Sequence, residues 1–374
     1  ILLLLLCYGV NIFVYVENNR FMKDGNELYF HGIAVDSIGL FSSPPLNKTK
    51  MIENGFNVQR RAFTWENYEI QPNKWNETYM DLIEKEVNDF GRSGIFTILD
   101  MHQDVLSRIY CNSHGFPAFY SYPYNDSRYT GNGSRAFPEP ISKPVSFIGE
   151  KEACQDINKY GWFFAYFTYS VSSAFQRLYD NEDSFLTRFG DFWEKIALRF
   201  KDNPFVLGYE LLNEPWLGDV YKNIEYLYPP YAEKNNLVKL YNYISDRIRS
   251  VDKNHIIFYQ PIIGGNFEDL FKSGFDTNPV GGNSVYSYHV YCPVFQADVH
   301  HTHPNAVSYG ICKLDNLEFL KLRYNDTLKL QSAGFLTEFG AYYEYSKYPV
   351  ELMRNLFNML DLYGHSWTYW AGFP

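Results

Sequence analysis

Residues 208–216 read GYELLNEPW. An apolar run from Val206 to Leu212 ends in Asn213 and Glu214, and Pro215 then stops the strand, because proline lacks the N–H that a ladder needs. The amide and the carboxylate are left at a strand's C-terminal end, where α/β folds keep their chemistry. Outward from this stretch, apolar strands take turns with amphipathic helices. Strands are expected near 28–35 and at Asn57–Phe63, Ile95–Met101, Val206–Asn213, Ile256–Gln260, Val285–Tyr291, Phe335–Phe339 and Ser366–Trp370. Helical periodicity covers 77–92, 182–201, 232–251, 314–331 and 349–363; in the first of these Met80, Ile83, Val87 and Phe90 share one face. Eight strands alternating with helices predict a parallel sheet closed as a (β/α)8 TIM barrel. The competing doubly wound open sheet would want a Gly-rich phosphate turn after its first strand, and none follows here.

Two departures from a plain barrel stand out. A long insertion after strand 3, residues 106–181, is rich in Pro, Gly and aromatics, and its WFFAYFTYS is too apolar for disorder, so it reads as a functional lid. Ahead of the barrel, NIFVYVENNRFMKDGNELYF alternates like a hairpin around Asp24-Gly25. The opening ILLLLLCYGV is too short to span a bilayer, which takes about 20 residues, and reads as the h-region of a signal peptide cut after Gly9. The domain reading is therefore 1–9 as a signal remnant and 10–374 as a catalytic barrel. Sequons at Asn47, Asn76, Asn125, Asn132 and Asn325 agree with the secretory pathway, meaning secretion or a lysosomal or digestive compartment. Outside the leader remain Cys111, Cys154, Cys292 and Cys312, with no C-x-x-C spacing. Three pairings are open, and sequence neighbours suggest Cys111–Cys154 and Cys292–Cys312. A net charge of −10 argues against nucleic acid. Aromatics at 19% fit either a bulky core or a site that stacks flat apolar faces such as sugar rings or lipid.

The strand ends collect chemistry. Strand two carries Arg60 and ends near Trp65; strand three ends in Asp100, His102 and Asp104; strand four in Asn213 and Glu214; strand six in His289 and Tyr291; strand seven in Glu338; strand eight in Trp370. Each alone has a bland reading as a cap, an ion-pair partner or a satisfied core residue. Together they place two glutamates, two histidines, an arginine and aromatics on one barrel rim. Two carboxylates there suggest glycoside hydrolysis, one protonated and donating to the leaving oxygen, the other attacking the anomeric carbon. The nucleophile's charge needs donors, which lower its pKa; the acid needs the reverse. Trp162 lies in the insertion's aromatic stretch, where lining a cleft and packing the insertion compete. His300, His301 and His303 sit on a loop that does not promise tetrahedral convergence. A metal-dependent amidohydrolase would want His-x-His at the end of strand one, where Ala34-Val35-Asp36 stand. The reading calls for no metal and no cofactor.

Arg60, His102, Asn213-Glu214-Pro215, His289, Tyr291, Glu338 and Trp370 match the motifs of glycoside hydrolase family 5, which the chain resembles in order from about residue 20 to its end. Within that family DMHQDVLS, GFNVQRRAFTWE and YELLNEPW resemble the endoglycoceramidases, which release whole glycans from glycosphingolipids. The resemblance implies a retaining double displacement, with Glu214 as acid/base and Glu338 as nucleophile. It implies that His102, Asp104, Asn213, His289, Tyr291, Trp370 and Trp162 line the sugar site, with Arg60 beside the nucleophile. The implied partner is a glycosphingolipid or other β-glycoside, met at a membrane surface. The alternatives are a β-glucosidase or β-glucanase acting on steryl glucoside, glucosylceramide or β-glucan, and a non-catalytic glycolipid-binding barrel; retention of both glutamates favours catalysis. Family members often carry Asn and a downstream Lys after strand one, whereas GIAVDSIGLFSSPP has Ala34 and no lysine. Known members also continue into a C-terminal β-sandwich. This sequence ends at YWAGFP as strand eight finishes, so it is expected to be C-terminally truncated, without the eighth helix.

Overall fold

The computed structural model describes residues 12–35, 46–110, 113–121, 162–263, 271–292, 306–340 and 347–370. Eight strands form a closed parallel barrel: β1 (His31–Val35), β2 (Val58–Phe63), β3 (Phe96–Met101), β4 (Val206–Glu210), β5 (Ile256–Tyr259), β6 (Ser284–Val290), β7 (Ala333–Phe339) and β8 (Ser366–Tyr369). They follow one another around the barrel in chain order, and Trp367–Tyr369 of β8 pairs with His31–Ile33 of β1 to close it. All eight expected strands are present. β4 is shorter than expected, since its ladder stops at Glu210. The next residues stay fixed even so: Leu211 donates to the Phe258 carbonyl at 3.1 Å and Asn213 to the Met101 carbonyl at 3.0 Å. Gly208 is required by close approach, because a Cβ there would lie 2.3 Å from the Ile256 carbonyl oxygen.

The helices pack their apolar faces on the outside of the barrel. Glu77–Gly91 buries Met80, Ile83, Val87 and Phe90, as its periodicity predicts, together with Tyr79. Phe185–Phe200, Ala306–Leu330 and Lys347–Tyr363 also match expected helices within a few residues, Ala306–Leu330 starting earlier. The helix expected at 232–251 is in three pieces, Pro229–Ala232, a π turn at Glu233–Leu237, and Val238–Val251. Many of the large aromatics seen here, among them Trp65, Tyr68, Tyr166, Tyr179, Phe192 and Trp193, are buried in one core cluster, so much of the aromatic excess is core.

The insertion after β3 is described over 106–110, 113–121 and 162–181. Its described part contains a helix, Tyr169–Asp180, capped by the Thr168 hydroxyl and buried from Ser170 to Tyr179. Val171, Ala174, Phe175 and Leu178 give it a helical stripe, which Ser170, Ser172, Ser173 and Gln176 dilute in the sequence. A 3-10 turn, Trp162–Phe167, precedes it.

The opening hairpin is present around Asp24-Gly25, and a third strand, Tyr15–Glu17, joins it. This small sheet closes the N-terminal end of the barrel. Asn19 donates to the carbonyls of Thr327 and Ser332, Arg20 donates to those of Tyr363 and Gly364, and Phe21 packs edge-on against Phe30 and Phe335.

Cys292 and Cys312 are bonded, with Cα atoms 5.7 Å apart, as their proximity in sequence suggests. The leader, the Cys111–Cys154 pairing and His300, His301 and His303 fall outside the described residues. Among the described residues no helix is long and apolar enough to cross a membrane.

Candidate active site

The arginine pair of β2 is divided by strand alternation. Arg61 reaches outward to Glu86 of the helix Glu77–Gly91, at 3.1 Å. Arg60 turns into the barrel, is fully buried, and meets Asp100 at 3.0 Å, Glu210 at 2.5 Å and Glu338, while its Nη2 donates to Asn213 Oδ1 at 2.8 Å. Burial works against this cation, but the three carboxylates outweigh it and raise its pKa further.

Glu214 and Glu338 come together across the rim. One oxygen of each, with a nitrogen of His289, lies within 4.8 Å of the others. His289 Nδ1 is 2.7 Å from Glu214 and 3.5 Å from Glu338. Burial, with the Asp104 charge, lifts Glu214 to about 8. Burial lifts Glu338 as well, against the pull of Arg60. Arg60 donates to one Glu338 oxygen and the Tyr291 hydroxyl to the other at 2.7 Å. Both donors favour the ionised form, whereas Glu214 faces an uncharged imidazole, because burial lowers His289 to about 4. The ring's tautomer follows from Gln260: its Oε1 accepts the Glu214 N–H at 2.9 Å, so its Nε2 donates to His289 Nε2 at 3.1 Å and leaves Nδ1–H for Glu214.

The register of β7 makes this convergence work. Thr337 donates to Glu210 at 3.2 Å and Glu338 meets Arg60, so two consecutive residues reach groups inside the barrel. Strict alternation forbids that. The β6–β7 ladder slips at this point, pairing Tyr288 with Leu336 but His289 with Glu338, and such a bulge re-aims a side chain.

Beside the pair, His102 stacks parallel to Trp370 with centroids 5.4 Å apart, and its Nδ1 is 2.6 Å from Asp100. Burial opposes its charge, yet Asp100 outweighs it and lifts His102 to about 9. Asn213 Nδ2 lies 3.4 Å from His102 Nε2 and donates to the Gln103 carbonyl at 3.1 Å. Asp104 pairs with His114 at 3.0 Å, and the His114 ring stacks on His102. Among the described residues, His102, Asp104 and His114 form the other group whose ligand atoms converge within 4.8 Å.

The predicted residues Arg60, His102, Asp104, Asn213, Glu214, His289, Tyr291, Glu338 and Trp370 are thus in one place. Trp162 opens the 3-10 turn of the insertion, and its side chain lies outside the described residues. Trp216, next to Glu214 in sequence, is fully buried: it donates to Ser172 at 3.2 Å and packs on Tyr166, so it anchors the insertion. The sequence reading left out Glu210, Gln260, Gln103 and His114. Glu210 accepts from Arg60, Gln260, Ser287 and Thr337, donors from four strands or their ends. A carboxylate inside the apolar run of β4 was the signal for it, since a buried charge requires partners.

A parallel eight-stranded barrel that gathers two carboxylates, an arginine and two histidines at its C-terminal rim has the architecture of the barrel glycosyl hydrolases. The chain belongs to glycosyl hydrolase family 5: that family's cellulase model matches residues 46–372. It is 32% identical over 364 residues to an endoglycoceramidase of Cyanea nozakii and 33% identical over 366 residues to one of Hydra vulgaris, each alignment covering 92% of this chain. The chain spans 66% and 63% of those two relatives' lengths. Endo-glycoceramidase II from Rhodococcus sp., solved as a ganglioside GM3 complex, shares the fold with a TM-score of 0.71 at 21% identity, over 96% of this chain and 76% of the other.

Proposed function

We propose that this chain hydrolyses a β-glycosidic bond with net retention of configuration, and that the bond is the one joining a glycan to ceramide. The observation that carries the reaction type is the approach of Glu214 and Glu338 to within 4.8 Å. Retaining pairs stand about 5–5.5 Å apart, and inverting pairs need about 6.5–9.5 Å to admit a water. Glu338, with Arg60 and Tyr291 donating to it, attacks the anomeric carbon as Glu214 gives its proton to the departing oxygen. That forms a glycosyl-enzyme ester and a free alcohol. Glu214, now a carboxylate, takes a proton from water, whose oxygen displaces Glu338 and restores both groups. Burial, with the Asp104 charge, holds the proton on Glu214 up to about 8, while the Arg60 guanidinium lies on the other carboxyl and favours its ionised form. Asn213, His102, Asp104, His289, Tyr291 and Trp370 form the sugar site in this reading, with Trp162 from the insertion.

The substrate class is supported by the two curated relatives, both named endoglycoceramidases, and by the aromatic insertion packed beside the rim, where Phe163 and Phe167 meet Trp216. An amphiphilic leaving group would bring the rim to a membrane surface. Passage through the secretory pathway is supported by the Cys292–Cys312 bond and by the exposed sequon residues Asn47 and Asn325.

The deciding experiment is product analysis on lactosylceramide or a ganglioside. Intact oligosaccharide of β configuration plus ceramide is expected. Free monosaccharide would place the activity with β-glucosidases, an α product would sink retention, and no product at any pH would leave a binding barrel.

A further inference from the structure

Gln103, between His102 and Asp104, is fully buried and has every polar atom of its amide engaged. Its Oε1 accepts the Leu106 backbone N–H at 2.7 Å. Its Nε2 donates to the carbonyls of Asn213 at 2.8 Å and Glu214 at 2.9 Å, and lies 3.2 Å from the Tyr166 hydroxyl. An N–H can only donate and a carbonyl can only accept, so the amide has one orientation.

Both segments that it joins are in backbone conformations that non-glycine residues avoid. Val105 has φ 53°, Leu106 φ 65° and Glu214 φ 45°. Such a conformation persists where its surroundings over-determine it. For Glu214 those surroundings are two glutamines: Gln260 takes the N–H at 2.9 Å and Gln103 takes the C=O. Pro215 follows and adds no N–H of its own.

We propose that Gln103 is a positioning residue for Glu214, fixing the peptide that follows it and so the direction in which its carboxyl leaves the backbone. This rests on the reading of Glu214 as the proton donor. Gln103 touches no reacting atom; it acts through the left-handed turn at Asn213-Glu214-Pro215. The Tyr166 hydroxyl braces the same amide, and the Tyr166 carbonyl accepts from Ser172, which in turn receives the Trp216 indole N–H. The buried part of the insertion is thereby tied to the pose of Glu214, a role distinct from covering the cleft.

The two chemical steps give the test its resolution. Attack by Glu338 on a sugar with a strongly activated leaving group does not use the Glu214 proton, whereas cleavage of a glycolipid does. Misplacing a catalytic group by about 1 Å costs on the order of 10²-fold. The experiment compares the full chain with Gln103→Leu and Gln103→Met, the second keeping nearly the length of the side chain without its amide. Each protein is first incubated with a dinitrophenyl 2-deoxy-2-fluoro-β-lactoside, and covalent labelling of Glu338 is followed by mass. Turnover of lactosylceramide is then measured against pH. Labelling rates within about threefold of the parent are expected, with kcat on the glycolipid down roughly 10²-fold and KM little changed. The high-pH limb of kcat/KM should move below the position that Glu214 sets near 8. Equal losses in labelling and turnover, an unmoved limb, or unchanged turnover would overturn the assignment. Failure of both variants to label would overturn it too, since that step does not use Glu214. If the parent itself is not labelled, the hydrolase reading falls, and the role of Gln103 with it.

Discussion

At the N-terminal end of the strands the barrel is filled by Val58, Ile98, Leu207, Ile256, Phe258, Val285 and Phe335, sealed from outside by Phe21 and Phe30. Two residues further along, the same strands or their ends carry Arg60, Asp100, Gln260, Ser287 and Thr337. Since i and i+2 share a face, Val58 leads to Arg60, Ile98 to Asp100, Phe258 to Gln260, Val285 to Ser287 and Phe335 to Thr337. The interior thus passes from hydrocarbon to a charge network within one step of the pleat. The contrast teaches where stability and function separate. The apolar end gains from burial. The polar end holds buried ions whose desolvation is costly, and their mutual attraction does little more than offset that cost, so this end adds little net stability.

If that division is right, substitutions at the two ends should fail in different ways. The largest effect belongs to the charged end. Glu338→Gln should reduce glycolipid turnover to background with the melting curve preserved, and Glu214→Ala should lose about 10²–10⁴-fold, recoverable in part with activated leaving groups. A large drop in melting temperature in either variant would mean that this end also carries the fold.

Phe335→Ala tests the opposite end. Phe335 packs against Phe21 and Phe258 with ring centroids 6.1 and 5.7 Å away, and its truncation should cost about 3–5 kcal/mol in unfolding free energy. Turnover per folded site, counted by Glu338 labelling, should not change; altered kcat would show that the lower core sets the rim's geometry.

A smaller effect sharpens the comparison through pH. Burial raises Glu214 from its ordinary 4.5 to about 8, so its proton binds the folded state more tightly than the unfolded one. Its contribution to stability is fully present below 4.5 and is lost as pH rises through about 8. Glu214→Gln should therefore gain stability relative to the parent as pH rises, by thermal melting across that window. His365, at the entry to β8, has the opposite sign: burial lowers it to about 3, so its contribution is present above 6.5 and lost as pH falls toward 3. A difference between Glu214→Gln and its parent that does not vary with pH would place the raised carboxyl elsewhere.

What the sequence by itself determined was local in character. Apolar runs punctuated by proline and glycine located all eight strands, and the 3.6-residue period located the helix Glu77–Gly91 down to its buried face. Reading the C-terminal end of each strand also assembled Arg60, His102, Asn213, Glu214, His289, Tyr291, Glu338 and Trp370, because a closed parallel barrel brings those ends to one rim whatever its detailed register. The tertiary structure alone decided the partners. Glu210 and Arg60 are 150 positions apart, and Gln103 and Glu214 are 111; no periodicity in either segment encodes that meeting. The slip between β6 and β7 that brings Thr337 and Glu338 inward together has no local signature either. Such contacts depend on strand register around a closed sheet, and register is fixed by the packing of the whole barrel. Alternation in one strand states which face is buried, and closure decides what that face meets.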